Sequence, residues 1–201
     1  LGQYIYSVDD KKRELYVNLF VSNTTEIAFG DGPATQVCME TRFPWEPSVR
    51  FAFSNVPESG MDLLVRVPDY AENYHMTVGG EAVGSRTENG YWKLHVEKDC
   101  RVEVAFETPA HYVYANPQVR ADAGKAAIMR GPLVYCLEEC DNGSNLPWIF
   151  PDTDAPLGEE CSELFGGCVV IKGKGKRGVE SSWKGGLYGL RHRRDGQFRL
   201  P

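Results

Sequence analysis

The sequence predicts an all-β protein made of two consecutive antiparallel β-sandwich domains of jelly-roll-like form. Short segments of alternating apolar and polar residues recur along the chain, and Gly, Pro, Asn and Asp separate them. Hardly any stretch has the period of about 3.6 residues that an amphipathic helix requires. Hydrophobic residues make up 42% of the chain and aromatic residues 11%, which is enough for a packed core.

The first domain is expected to cover residues 1–110. It opens with a hairpin, in which the β-prone segments 2–8 and 14–21 flank a polar turn. The further strands that alternation predicts in this domain are 24–29, 35–41, 48–53, 61–67, 74–78, 81–83, 91–96 and 100–107.

Two of these strands have especially clear signals. Gly79-Gly80 separates segments 74–78 and 81–83, and such a pair supplies the two positive φ angles that a two-residue hairpin turn needs. In segment 100–107, Val102, Val104 and Phe106 alternate with polar or small residues, so one face of this strand is expected to be buried.

The second domain is expected to cover residues 111–201, after a boundary at Thr108, Pro109 and Ala110. Its predicted strands are 112–115, a pair within 125–138, and 169–171, and long loops are expected at 142–145 and 151–160. From residue 172 to the last residue the sequence is rich in Gly, Lys and Arg, which predicts a loosely ordered tail.

The most apolar part of the second domain is residues 133–137, for which periodicity alone leaves a doubly buried strand and a buried helix segment open. Its short length, the flanking Gly-Pro and its β-branched and aromatic residues favour the strand. Gly131 and Pro132 precede it. Because glycine permits unusual backbone angles and proline lacks an amide donor, we expect a bulge or bend at this step.

The composition argues against several classes of partner. The net charge is −6 and the only clustered basic run is Arg191-His192-Arg193-Arg194, so a nucleic-acid-binding surface is not expected. No apolar run approaches the roughly 18 residues of a membrane helix, and no leader resembles a signal peptide.

The six cysteines are irregularly spaced and form no CxxC pair, which disfavours a zinc ribbon. Cys136 and Cys140 would point to the same face of a strand. The two thiols could therefore bind a metal ion together, or each could be an isolated buried side chain. We expect reduced cysteines and a cytoplasmic location.

The chain contains no recognisable catalytic constellation. His75, His95, His111 and His192 are scattered, and no nucleophile elbow, phosphate loop or zinc-binding helix pattern occurs. Glu138 and Glu139 are adjacent, so in a strand they would point to opposite faces and could not flank one glycosidic bond. We therefore predict no catalytic, cofactor-binding or metal-binding residue in this chain.

Two tryptophans are candidates for contacts. Trp45 and Trp92 could stack on sugars or pack between domains, and packing in the core is the alternative for each.

The sequence resembles the C-terminal β-sandwich region of glycoside hydrolase family 127, the β-L-arabinofuranosidase-like family once described as domain of unknown function 1680. The similar stretches occur in family order and are residues 1–7 (LGQYIYS), 41–46 (TRFPWE), 64–68 (LVRVP), 78–81 (VGGE), 90–92 (GYW) and 130–138 (RGPLVYCLE). After Asp141 the similarity thins, which leaves open whether the second sandwich is complete.

The resemblance implies an enzyme with an (α/α)6 catalytic barrel followed by two β-sandwich domains. In the family, a Cys-Cys-Pro-Pro-Asn motif upstream of the segment that resembles residues 4–7 supplies the nucleophilic cysteine of a retaining mechanism and one zinc ligand, and a barrel Glu and another Cys complete the zinc site. All six cysteines of this chain follow Tyr6, so none takes over these roles. We expect a fragment that is inactive alone, with the zinc in the barrel.

Two functions follow from these expectations, beside a third hypothesis of a structural or interaction domain unrelated to sugars. The first is a non-catalytic accessory region that supports the missing catalytic barrel, with that barrel and a homodimer as the partners considered. The alternative is a stand-alone carbohydrate-binding module that uses its surface tryptophans.

Overall fold

A computed structural model of the chain describes residues 2–84, 86–163, 166–178, 188 and 194–199. The chain divides into two compact units, Leu1–Thr108 and Pro109–Pro201. Strands dominate both units, so the predicted all-β class is confirmed. In the parts of the chain that the structure describes, no helix has the length and apolar character to cross a membrane.

The first unit is a sandwich of two sheets. Its strands are β1 (Tyr6–Asp9), β2 (Glu14–Val17), β3 (Asn23–Ile27), β4 (Thr35–Thr41), β5 (Ser48–Ser54), β6 (Met61–Arg66), β7 (Asn73–Val78), β8 (Glu81–Val83), β9 (Thr87–Glu88), β10 (Tyr91–Val96) and β11 (Cys100–Glu107). One sheet has the order β1-β2-β6-β10-β9, and the other has the order β3-β4-β5-β11-β7-β8.

Both sheets bury their inward residues in one apolar core. The alternation in β11 is confirmed, since Val102, Val104 and Phe106 are all buried. From the other sheet, Leu15 and Leu63 reach the same core and are fully buried. Each such side chain contributes roughly 1.5–3 kcal/mol on burial, so this core is the main stabilising feature of the unit.

One strand pair departs from the predicted antiparallel arrangement. β2 and β6 run parallel, with Glu14 opposite Asp62 and Val17 opposite Val65. The parallel direction arises because the chain leaves β2, forms three strands of the other sheet and then returns as β6. Such a crossover leaves no local sequence signal, so the alternation pattern did not predict it.

The predicted hairpins are present, with some shifts at their ends. Gly79 and Gly80 have φ angles of +59° and +89° and connect β7 to β8, as their sequence predicts. β1 and β2 form the opening hairpin, but Gly2–Tyr4 is a 3-10 turn rather than part of the strand.

The second unit contains three small sheets. Its elements are β12 (Ala110–Tyr114), β13 (Ala126–Arg130), β14 (Leu133–Tyr135), α1 (Glu139–Asn142), β15 (Ile149–Pro151), β16 (Gly158–Ser162), β17 (Cys168–Lys172), β18 (Lys174–Gly178) and β19 (Arg194–Arg199), with 3-10 turns at Arg120–Asp122 and Leu146–Trp148. The sheet orders are β12-β13-β14, β15-β18-β19 and β16-β17. Among the described residues of this unit, the buried large apolar side chains are Ile149 and Ile171.

The predicted doubly buried strand at residues 133–137 is wrong. β14 is three residues long and lies at the edge of its sheet, and the side chain of Val134 is 66% exposed. Gly131 has the expected positive φ of +55°, but it belongs to a tight turn that pairs Arg130 with Leu133. The chain reverses direction at this step and does not bulge.

Two stretches of the predicted loose tail, β18 and β19, form strands. β18 pairs with both β15 and β19, and the pairing with β19 shifts register at Lys176 and Arg177. The rest of the predicted loose tail, residues 179–187, 189–193 and 200–201, lies outside the described residues.

Candidate functional site

The two tryptophans named from the sequence have opposite environments. Trp45 lies in the turn after β4 and is 54% exposed. Its amide donates to the carbonyl of Arg42 (3.0 Å), and the Arg42 guanidinium pairs with the Glu46 carboxylate (2.8 Å). This turn therefore places about half of the Trp45 side-chain surface in contact with solvent.

Trp92 is a core residue and therefore not a candidate for sugar stacking. It lies on β10 and is 1% exposed, and its indole packs edge-on against the ring of Tyr74 at a centroid distance of 5.1 Å. A ligand cannot reach either face of this ring. Trp92 points inward because alternation along β10 places it on the face opposite Lys93.

A polar network that the sequence did not predict lies on the outward face of the first sheet. We call it the carboxylate cluster, and it consists of Glu14, Tyr16, Asp62, Lys93 and His95. The strands β2, β6 and β10 are neighbours, and their register places Glu14 opposite Asp62 and Asp62 opposite His95.

The Lys93 ammonium joins the two carboxylates of the cluster. Its Nζ donates to Glu14 Oε1 (2.7 Å) and to Asp62 Oδ2 (2.9 Å). Tyr16 Oη donates to the other oxygen of Glu14 (2.7 Å), and His95 Nδ1 donates to the other oxygen of Asp62 (2.6 Å). Every oxygen of the two carboxylates therefore has a donor.

These contacts shift the pKa values of Glu14, Asp62 and Tyr16. The hydrogen bonds from Lys93 and Tyr16 lower the pKa of Glu14. Burial would raise the pKa of Asp62, but the hydrogen bonds from His95 and Lys93 outweigh it and the pKa is lowered. The hydrogen bond to Glu14, followed by burial, raises the pKa of Tyr16 to about 12.

Glu14, Asp62 and Tyr16 are therefore poorly suited to proton transfer near neutral pH. A general acid or base works best when its pKa lies near the working pH, and the pKa values of Glu14, Asp62 and Tyr16 move away from it. The pKa of Lys93 is raised as well, mainly by its hydrogen bond to Glu14. We interpret the cluster as a structural clamp across three strands.

The segment after β14 brings one group of metal-ligand side chains together. Among the described residues, the group of metal-ligand types within reach of one another is Glu138, Cys140 and Asp141, and all three are exposed. The Cys140 thiol donates a hydrogen bond to the Glu138 carboxylate, and this bond raises the pKa of the thiol.

Two expectations for this segment are wrong. Cys136 and Cys140 are exposed rather than buried thiols. Glu138 and Glu139 lie at the start of α1 and not in a strand, because the chain leaves the sheet after Tyr135.

The second unit contains a large cleft, which we call the aromatic cleft and define by Tyr112, Tyr114, Tyr135, Phe150 and the residues around them. Its volume is about 1090 Å³. Tyr112, Ile128 and Tyr135 form one row across β12, β13 and β14 and line it. Burial raises the pKa of Tyr112 and of Tyr135.

Part of the wall of this cleft could be predicted from the sequence. Counting outward from the turn at Gly131 and Pro132 pairs Ile128 with Tyr135, as the structure shows. The approach of Phe150 depends on a loop whose path has no such signal.

Comparison with known proteins places both units in one family. Residues 14–110 match the family description "Beta-L-arabinofuranosidase, GH127 middle domain", and residues 110–173 match "Glycoside hydrolase family 127 C-terminal domain". The chain is 34% identical over 172 residues to a non-reducing end beta-L-arabinofuranosidase from Bifidobacterium longum subsp. longum, which covers 82% of this chain and 25% of that protein.

Solved structures show the same relationship. A GH127 beta-L-arabinofuranosidase from Geobacillus stearothermophilus T6 superposes with a TM-score of 0.85 at 35% identity, covering 98% of this chain and 32% of the other. A second protein, described as a glycoside hydrolase, superposes with a TM-score of 0.83 at 27% identity, covering 98% of this chain and 33% of the other. The chain thus spans about a quarter to a third of the relatives it matches. It belongs to glycoside hydrolase family 127, and its two units correspond to the middle and C-terminal domains of that family.

Proposed function

We propose that this chain is a non-catalytic accessory region of a β-L-arabinofuranosidase-like enzyme and that it acts by packing against a separate catalytic domain. The observation that carries the proposal is the coverage: 98% of the chain superposes on 32% of a larger family member. The chain matches the middle and C-terminal domain descriptions of the family.

The chemistry of the described residues supports this role. In the carboxylate cluster, Lys93 pairs with Glu14 and Asp62, and the pKa values of these two carboxylates are shifted away from neutrality. Zinc in this proposal is held by the catalytic domain.

An apolar sheet face in the second unit offers a surface for packing. We call it the β12–β14 outer face, and by register it consists of His111, Val113, Ala127, Met129 and Val134. Val134 and Ala127 are exposed, and Val113 and Met129 are half-buried. A strand valine that is 66% exposed is unfavourable in water, so covering this face would stabilise the unit.

The proposal includes a reducing, cytoplasmic setting. All six cysteines are free, and Cys136, Cys140 and Cys161 are exposed. Exposed free thiols persist in reducing compartments, which supports this location. A homodimer stays a prediction, to be measured by the mass of the chain in solution.

Two measurements test the proposal. The chain alone, incubated with an aryl β-L-arabinofuranoside and zinc, is expected to give no turnover, and hydrolysis by the chain alone would overturn the proposal. In the second measurement, the chain replaces the corresponding region of the Geobacillus enzyme, and the chimera is expected to be soluble and active.

A matched pair of variants then tests the docking surface. Val134→Asp is expected to lower the thermal midpoint of the chimera more than that of the isolated chain, because it places a charge in the covered face. Val119→Asp, at a valine that is 46% exposed and lines the cleft instead, is expected to affect the chimera and the isolated chain alike. If Val134→Asp, like Val119→Asp, lowered the thermal midpoint of the chimera and of the isolated chain equally, the β12–β14 outer face would not be the surface that packs on the catalytic domain.

A further inference from the structure

We infer that the aromatic cleft of the second unit binds an uncharged saccharide. Ligand sites in proteins are concave, mostly apolar, and carry a few convergent polar groups. The aromatic cleft has this form, with a volume of about 1090 Å³ and four aromatic side chains in its lining.

The walls of the cleft come from fixed elements. On one side, the row Tyr112, Ile128 and Tyr135 is set by strand pairing. On the other side lie Ile149 and Ile171, which are buried on β15 and β17. The shape of the cleft therefore depends on paired strands as well as on its loops.

Tyr114 supplies an open aromatic surface. It lies one step further along β12 than the row, opposite Ala126, and it is 60% exposed while lining the cleft. The small side chain of Ala126 leaves room beside the phenol ring. A flat, rigid and accessible aromatic ring is the surface on which the C–H face of a sugar ring packs.

The charge balance of the cleft favours a neutral ligand. The acidic and basic side chains that line it are Asp122 and Lys125, and they form an ion pair with each other at 3.8 Å. With these charges balanced, the cleft has no surplus charge to attract a phosphate, a carboxylate or an amine.

Polar groups are nevertheless present for hydroxyl recognition. Asn116 and Thr153 line the cleft, and the Tyr112 hydroxyl is buried without a hydrogen-bond partner among the described residues. A purely apolar ligand such as a lipid chain would leave the Tyr112 hydroxyl unpaired, which costs free energy. A saccharide offers both an apolar C–H face and hydroxyl groups.

This binding role goes beyond the accessory role, since a saccharide can bind to the cleft whether or not the chain packs on a catalytic domain. Because family relatives act on β-L-arabinofuranosides, L-arabinose and a neutral arabino-oligosaccharide are the probes of choice. Isothermal titration of the whole chain is expected to show saturable binding of the oligosaccharide. A uronic acid of similar size is expected to bind more weakly, because its charge has no counter-charge in the cleft.

Substitutions locate the site. Tyr114→Ala is expected to weaken oligosaccharide binding by about tenfold or more, through loss of the stacking surface, while the circular dichroism spectrum stays unchanged. Tyr188→Ala is the matched control, because Tyr188 is 95% exposed and lies outside the cleft, and it is expected to leave binding unaltered.

Three results would overturn the inference. The first is the absence of saturable binding to any neutral saccharide tested. The second is binding that Tyr114→Ala leaves intact or that Trp45→Ala abolishes. The third is self-association of the chain that Tyr114→Ala disrupts while neutral saccharides have no effect on it, since a protein surface would then occupy the cleft.

Discussion

Glu14 and Asp62 lie directly opposite each other on parallel strands, and both of their carboxylates bind the single ammonium group of Lys93. Like charges at directly opposed positions of a sheet repel each other. The first sheet tolerates this pair because Lys93, on the next strand, places its Nζ 2.7 Å from one carboxylate and 2.9 Å from the other. The β1–β2 hairpin joins the rest of the sheet through this pairing of β2 with β6.

Removing the ammonium should destabilise the first unit. Lys93→Met keeps much of the side-chain length but leaves two carboxylates without their cation, and the Glu14 side chain is only 8% exposed. We expect a loss of about 2 kcal/mol in the free energy of unfolding, less than for a fully buried pair because Lys93 is 25% exposed. Urea denaturation measures this loss.

Lys12→Met is the matched control for this substitution. Lys12 is 65% exposed and lies 3.8 Å from Glu14, so its loss is expected to cost less than about 0.5 kcal/mol. If both substitutions lowered the free energy of unfolding equally, Lys93 would not be the residue that stabilises the pairing of β2 with β6.

The same cluster predicts an acid-sensitive stability. Because the pKa values of Glu14 and Asp62 are lower in the folded chain than their ordinary values of 4.5 and 3.8, the unfolded chain binds more protons in this range. Their stabilisation is therefore complete above these ordinary values and falls as the pH drops through the folded pKa values. The thermal midpoint of the chain should fall below about pH 4.5, and it should fall less in the variant Lys93→Met. Parallel curves for the two proteins would contradict this assignment.

Gly60 is expected to resist substitution for two separable reasons. Its φ is +69°, and a Cβ built there would lie 2.7 Å from His95 Nε2 and 3.0 Å from the carbonyl oxygen of Val96. Gly79 has a similar φ of +59° with nothing within 4 Å of such a Cβ, so it isolates the backbone effect. We expect Gly79→Ala to cost about 1 kcal/mol and Gly60→Ala clearly more.

The double variant Gly60→Ala, His95→Ala separates the two causes at Gly60. It should recover part of the excess cost, because the imidazole no longer occupies the space that the new methyl group needs. Urea denaturation of the four proteins in this cycle measures the coupling. Additive costs for the two substitutions would mean that the imidazole is not the obstacle.

The two tryptophans should respond differently to truncation. Trp92→Ala removes a fully buried indole from the core and is expected to cost about 3–5 kcal/mol. Trp45→Ala changes a side chain that is 54% exposed and is expected to cost less than about 1 kcal/mol in the isolated chain. Chemical denaturation followed by far-ultraviolet circular dichroism compares the two, and similar costs would be inconsistent with the different burial of the two indoles.

Local patterns predicted much of the first unit. The alternation of Val102, Val104 and Phe106 gave the correct buried face of β11, and Gly79-Gly80 gave a correct hairpin. These features depend on neighbours in sequence, where the period of a strand and the φ preference of glycine act directly.

Features that depend on distant residues were not predictable in this way. Glu14 and Lys93 are 79 positions apart, and their contact requires β6 to lie between β2 and β10. The exposure of Val134 was missed for a related reason: an apolar run was interpreted as buried on both faces, whereas the described residues leave one face of its strand open.

The parallel pairing of β2 with β6 affects the order in which the first unit assembles during synthesis. As the protein emerges from the ribosome, the first hairpin is complete long before β6 exists, so it has no sheet to join until residues 61–66 appear. At that moment Glu14 and Asp62 meet before Lys93, the cation that binds both carboxylates, has been made, and of these two carboxylates the exposed Lys12 reaches only Glu14. Docking of the amino-terminal hairpin is therefore expected to wait for β10, which makes this hairpin one of the last parts of the first unit to be secured during translation.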